Sequence, residues 1–190
     1  MKKLKKKVKT KLSTFLGNSG LIQNHSALVS GVSLFLMAIL AAIAYLNQII
    51  ELFFGVVVLD FIVCVSIYFY FKDVYPQLAL WSGSLRAIYS ILLLMIVIVN
   101  LGDWQSFDDS FTLLLGFFGL HLWVQAWIFF KLKTLKYLMS GLLFISGAGY
   151  IFDSLLIAFL WTSISPVAEY TFLGEMVMTF WFLVIAFKSD

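Results

Sequence analysis

Charge is what this chain has least of. Only 12% of its 190 residues are Asp, Glu, Lys or Arg, while 62% are hydrophobic and 18% aromatic. A soluble domain carries about a quarter charged residues. A chain with so little polar surface cannot coat a soluble globule, so lipid must act as its solvent. A single cysteine, Cys64, excludes an internal disulfide. With only two histidines, one of them (His25) outside the apolar runs, a membrane haem held by two histidines is excluded. The zinc-protease HExxH, the GxSxG nucleophile elbow, the phosphate loop and the dinucleotide fingerprint are all missing. No cofactor and no nucleic-acid partner is expected.

What is present is a series of apolar runs of about 20 residues, each long enough to cross a hydrocarbon core. They predict six spans, at 27–46, 51–71, 79–101, 110–130, 137–161 and 168–187. The connections are short and no linker or internal repeat interrupts them. The fold class expected is therefore all-α: one integral membrane bundle of six transmembrane helices over 25–190, preceded by a basic cytoplasmic or interfacial tail over 1–24. The tail followed by Ala42-Ile43-Ala44 has the look of a cleavable signal. Its apolar stretch of about 20 residues exceeds the usual signal core of 7–15, which favours an uncleaved first helix.

Lysine placement predicts orientation. With the N-terminus in the cytoplasm, all the lysines fall on the inner side: the seven between Lys2 and Lys11, then Lys72, Lys131, Lys133, Lys136 and Lys188. The opposite loops carry none, and GDWQSFDDS at 102–110 is acidic. By the positive-inside rule both termini are cytoplasmic. Within the tail, Leu4, Val8, Leu12, Phe15 and Leu16 recur at helical spacing, as in an interfacial helix on anionic lipid; the plainer reading is a topology signal alone.

Five ionisable residues sit inside the runs: Asp60, Arg86, His121, Asp153 and Glu175. Each charge in mid-membrane costs about 2.5–3.5 kcal/mol on insertion scales, so they should face the bundle interior and one another. Helical rise puts Asp60 about 18 Å and His121 about 15 Å from the inner ends of their spans. Polar neighbours share their faces: Ser82, Tyr89 and Ser90 with Arg86, Gln125 with His121, Thr171 and Thr179 with Glu175. Three carboxylates against one arginine leave the layer negative even with His121 protonated. A proton or a cation must then balance it.

Three readings follow. The preferred one is a buried site of Asp60, Arg86, His121, Gln125, Asp153 and Glu175 that binds protons or a small ligand, in a transporter-like or sensory protein; a transporter this small is expected to work as a homodimer. The second is a non-catalytic partner subunit whose polar layer only knits helices together. The third is a metal-assisted intramembrane or lipid hydrolase with ligands drawn from His121, Asp60, Asp153 and Glu175. Gly141, Gly147 and Gly149 are expected at close helix contacts.

Several stretches carry a resemblance. Asp60 in the second run, Arg86 early in the third, Gly119-Leu120-His121 in the fourth, Tyr150 to Ser154 in the fifth and Gly174-Glu175 in the sixth resemble the bacterial six-span family catalogued as domain of unknown function 4386. The resemblance spans about residues 25–188. It implies a six-helix fold in a bacterial cytoplasmic membrane, and it implies no activity.

Overall fold

The computed structural model describes residues 2–132, 136–159, 167 and 171–187, with side chains from Ile22 onward except Lys136. Every regular element among them is helical. The order is α1 (Lys2–Asn47), a short 3₁₀ turn (Ile50–Leu52), α2 (Phe53–Phe71), α3 (Pro76–Val99), α4 (Trp104–Lys131), α5 (Lys136–Ala158) and α6 (Leu173–Phe187). Five of these contain stretches long and apolar enough to cross a membrane: Ile22–Asn47, Ile50–Phe71, Pro76–Val99, Trp104–Lys131 and Tyr137–Ala158. The described part of α6 is apolar but has only 15 residues, about 22 Å of helix against a core of about 30 Å. The expected span at 168–187 thus lies partly outside the described residues, as do Trp161 and the loop lysine Lys133.

Local chemistry explains the breaks. Pro76 occupies the first turn of α3, where its missing N–H goes unneeded. Between α3 and α4, Gly102 takes φ +86°, and Asp103 then caps α4. The Asp103 carboxylate accepts the Ser106 amide at 3.2 Å and the Ser106 hydroxyl at 2.7 Å. That hydroxyl bond first, then the amide, holds the Asp103 pKa below its ordinary value. The basic tail is no separate element: α1 runs unbroken from Lys2 through the first span.

Each helix packs on its neighbours in the chain, and α6 returns to α1, so the contacts close a cycle. Side chains facing outward are apolar on every span, among them Leu46, Val58, Trp81, Val99, Trp127, Phe152 and Val184. Such faces fit lipid, where no hydrophobic drive separates inside from outside and close packing must hold helices together. A close backbone-to-backbone approach joins α4 to α5. A Cβ on Gly119 would lie 2.5 Å from the Gly147 carbonyl oxygen, and one on Gly147 would lie 2.7 Å from that of Gly119. Gly149 likewise abuts Thr171. Gly141, expected at a close contact, instead faces open space; its position one helical face away from Gly147 explains the difference.

Two aromatic groups bracket the middle of the bundle. Toward the ends of α2 and α4 that carry Lys72 and Lys131, Tyr70, Phe71, Phe129, Trp181 and Phe182 pack edge to face. Toward the other ends, Phe53, Trp104, Phe107 and Phe111 form a second aromatic group, with Phe107 stacked on Phe111 and Phe53 edge-on to Phe111. The polar residues lie between.

Candidate functional site

Arg86 is the largest fully buried side chain in the core. Its position on α3 points it at α2 and α4, and its three nitrogens find partners on three other helices. Nη2 lies 2.5 Å and Nε 2.7 Å from the same Asp60 oxygen, Oδ1. The second Asp60 oxygen accepts the Ser90 hydroxyl. Ser90 is one turn along α3 from Arg86, so both donors to Asp60 come from one helix face. Nη2 also reaches Met37 Sδ on α1 at 3.9 Å. The guanidinium plane sits 5.3 Å from the centre of the Phe118 ring, within cation–π range.

Arg86 Nη1 is 3.3 Å from His121 Nε2. Arginine can only donate, so Nε2 must accept and the ring proton lies on Nδ1. Nδ1 in turn donates to the Ser82 carbonyl oxygen at 2.9 Å. His121 is therefore held by an arginine and a backbone carbonyl. Among the described residues no carboxylate bonds to it, because Arg86 stands between it and Asp60. Gln125, one turn on, donates to Ser82 Oγ at 2.7 Å, while its own buried Oε1 has no partner among the described residues.

The remaining carboxylates go elsewhere. Glu175, in the first turn of α6, accepts the Tyr150 hydroxyl at 2.5 Å. Asp153 accepts the Val167 amide at 2.8 Å and so ties the end of α5 to the segment that follows. The single layer expected from depth alone is thus divided: Asp60, Arg86, His121 and Gln125 in one network, Tyr150 with Glu175 in a second pair, and Asp153 at a third place. Phe118 joins the first two, because its ring also meets Tyr150 at 5.7 Å and Tyr89 at 4.9 Å.

Among the described residues no group of three or more His, Cys, Asp or Glu side chains converges as a ligand set. Asp60 and His121 contact Arg86, Asp153 accepts the Val167 amide, and Glu175 accepts the Tyr150 hydroxyl. Sequence reasoning placed Ser82 and Ser90 on the correct face. It missed Met37 and Phe118, whose apolar character gave no sign of polar duty, although Phe118 lies one turn before His121.

Five long apolar helices and a shorter sixth, closed around a fully buried ion pair, define an integral membrane protein of the multi-pass class. Residues 99–186 match the family described as Domain of unknown function (DUF4386). The match takes in His121, Gln125, Tyr150, Asp153 and Glu175, while Asp60 and Arg86 precede it. A relative described as an uncharacterised protein, from the archaeon Archaeoglobus fulgidus, is 28% identical over 154 residues, covering 78% of this chain and 93% of its own length. No solved structure matches.

Proposed function

We propose that this is a six-span protein of a bacterial cytoplasmic membrane, with both termini inside, that binds protons or a small ligand in its polar layer for transport or sensing. Charge balance carries the reading. Asp60 is matched by Arg86, which leaves Glu175 with a hydroxyl partner and no salt-bridge partner among the described residues. An ionised carboxylate in that position is unfavourable unless something neutralises it. The lysine distribution supports the orientation, and α6 would complete the sixth crossing. The basic stretch at the start of α1 suits anionic lipid, and an open apolar groove of about 480 Å³ between α1 and α2, walled by Val29, Phe61, Val65 and Phe69, lies just beyond it. A homodimer remains the expected working unit for transport.

The second reading, a non-catalytic subunit with a structural polar layer, draws on the closed network around Arg86, whose partners all lie within the chain. A proton titration in nanodiscs separates the two. Wild type should reversibly bind more protons than the Asp153→Asn/Glu175→Gln variant, which keeps the Asp60–Arg86 pair. Identical titrations would leave only the structural reading.

A further inference from the structure

We infer that the proton-binding group of the layer is Glu175, with Tyr150 as its fixed hydrogen-bond donor, and that the Asp60–Arg86–His121 network is the scaffold holding it. The inference rests on the proton-binding reading above and assigns it to one carboxylate out of three. Asp60 is the poorest choice. It has three donors in contact, two of them guanidinium nitrogens, so adding a proton would strand the buried Arg86 charge. His121 has its Nε2 lone pair turned to an arginine donor, so no proton can be added there without expelling Arg86. Asp153 is already engaged by the backbone amide of Val167.

Glu175 differs from all of these. Its neighbours with charge or a titratable group are Tyr150 on α5, Tyr89 on α3 and, within electrostatic reach, Arg86 and Asp60. The last two act on it in opposite directions. From α1, which also packs on α6, no charged side chain comes forward between Ser26 and Asn47. Glu175 is half-buried as a residue, whereas Asp60 is fully buried. Its bond from Tyr150 also survives protonation. A phenol donates to a carboxylate oxygen, and equally to the carbonyl oxygen of the acid, so a proton can join or leave Oε2 without unlatching α5 from α6. One turn before it, Thr171 Oγ1 is buried against Gly149 with no partner among the described residues, a further polar atom on the same helix face. The exchange is simple: hydronium gives one proton to Glu175 and leaves as water.

Dicyclohexylcarbodiimide tests the assignment, because this lipophilic reagent modifies carboxyl groups inside membranes through their acid form. The acid proton passes to a reagent nitrogen, the carboxylate oxygen bonds to the central carbon, and the whole reagent stays on the protein. With the full chain in nanodiscs, mass spectrometry should find one adduct, on the peptide holding Glu175. Glu175→Gln, which keeps an acceptor for Tyr150, should abolish it, and Asp153→Asn should keep it. An adduct on Asp153 or Asp60 would overturn the assignment while leaving proton binding intact. Strong protection by sodium over choline at one pH would also overturn it, in favour of a metal cation. A wild type that titrates like Asp153→Asn/Glu175→Gln would instead remove the underlying reading.

Discussion

Arg86 reaches Asp60 with two nitrogens on one oxygen, at 2.5 and 2.7 Å, and both side chains are wholly buried. This leaves the other Asp60 oxygen to Ser90 and one side of the guanidinium to His121. Three helices are thereby pinned by a single charge pair. A buried pair of this kind adds little net stability over an apolar replacement, but breaking it leaves a charge stranded.

Arg86→Ala should therefore destabilise the protein by about 3–5 kcal/mol. The geometry says which second change helps. Arg86→Ala/Asp60→Asn should recover much of the loss, whereas Arg86→Ala/Glu175→Gln should not, because Glu175 makes no bond to Arg86. Unfolding in detergent would measure this. Equal recovery by both doubles would mean that the layer is one cluster.

His121 should show a fixed tautomer. Nitrogen NMR of the imidazole should find Nδ1 protonated and Nε2 bare, the reverse of what a carboxylate at Nε2 would impose. His121→Asn should keep the bond to the Ser82 carbonyl, since the Asn amide stands in for Nδ1. His121→Phe should lose both bonds and about 1–3 kcal/mol, the range for a buried group left unpaired. An imidazolium spectrum at neutral pH would contradict the donor assignment.

Glycine substitutions should separate the α4–α5 seam from the rest of α5. At Gly119 an added methyl meets the Gly147 backbone, which cannot rotate away, so Gly119→Ala should cost about 1–3 kcal/mol as an overpacked site. Gly141→Ala meets nothing within 4 Å and should be neutral or slightly stabilising. Thermal shifts of the two variants in one detergent make the comparison. A loss at Gly141 as large as at Gly119 would show that the seam is misplaced.

The cap of α4 predicts a pH dependence outside the membrane. The folded Asp103 pKa is depressed, so its contribution is present above the unfolded value near 3.9 and fades as pH falls through the lower folded value. Amide exchange at Ser106 and Phe107 should accelerate in that acid range, beyond the intrinsic trend. In Asp103→Asn, which caps without ionising, the added acceleration should vanish.

Orientation has its own check. A reporter that is active only in the cytoplasm should work when fused after Lys188 and fail when inserted at Gly102. The opposite pattern would invert the topology.

The membrane class and the polar character of Asp60, Arg86, His121 and Glu175 were legible along the chain, whereas the helices at Pro76 and Trp104 begin several residues before the expected spans at 79 and 110. What was legible follows from local quantities: the length of an apolar run and the cost of a charge in hydrocarbon. Depth along a helix was legible too, because rise per residue is constant. Partnership was not. Which carboxylate meets Arg86 depends on how α2, α3 and α4 rotate about their axes, and apolar faces of similar hydrophobicity do not fix that rotation in lipid. Small-residue seams such as Gly119 on Gly147, and the arginine's own donor geometry, decide it. Only the packed structure, then, separates Asp60 from Glu175: the first lies on the guanidinium, the second on a tyrosine of the next helix pair.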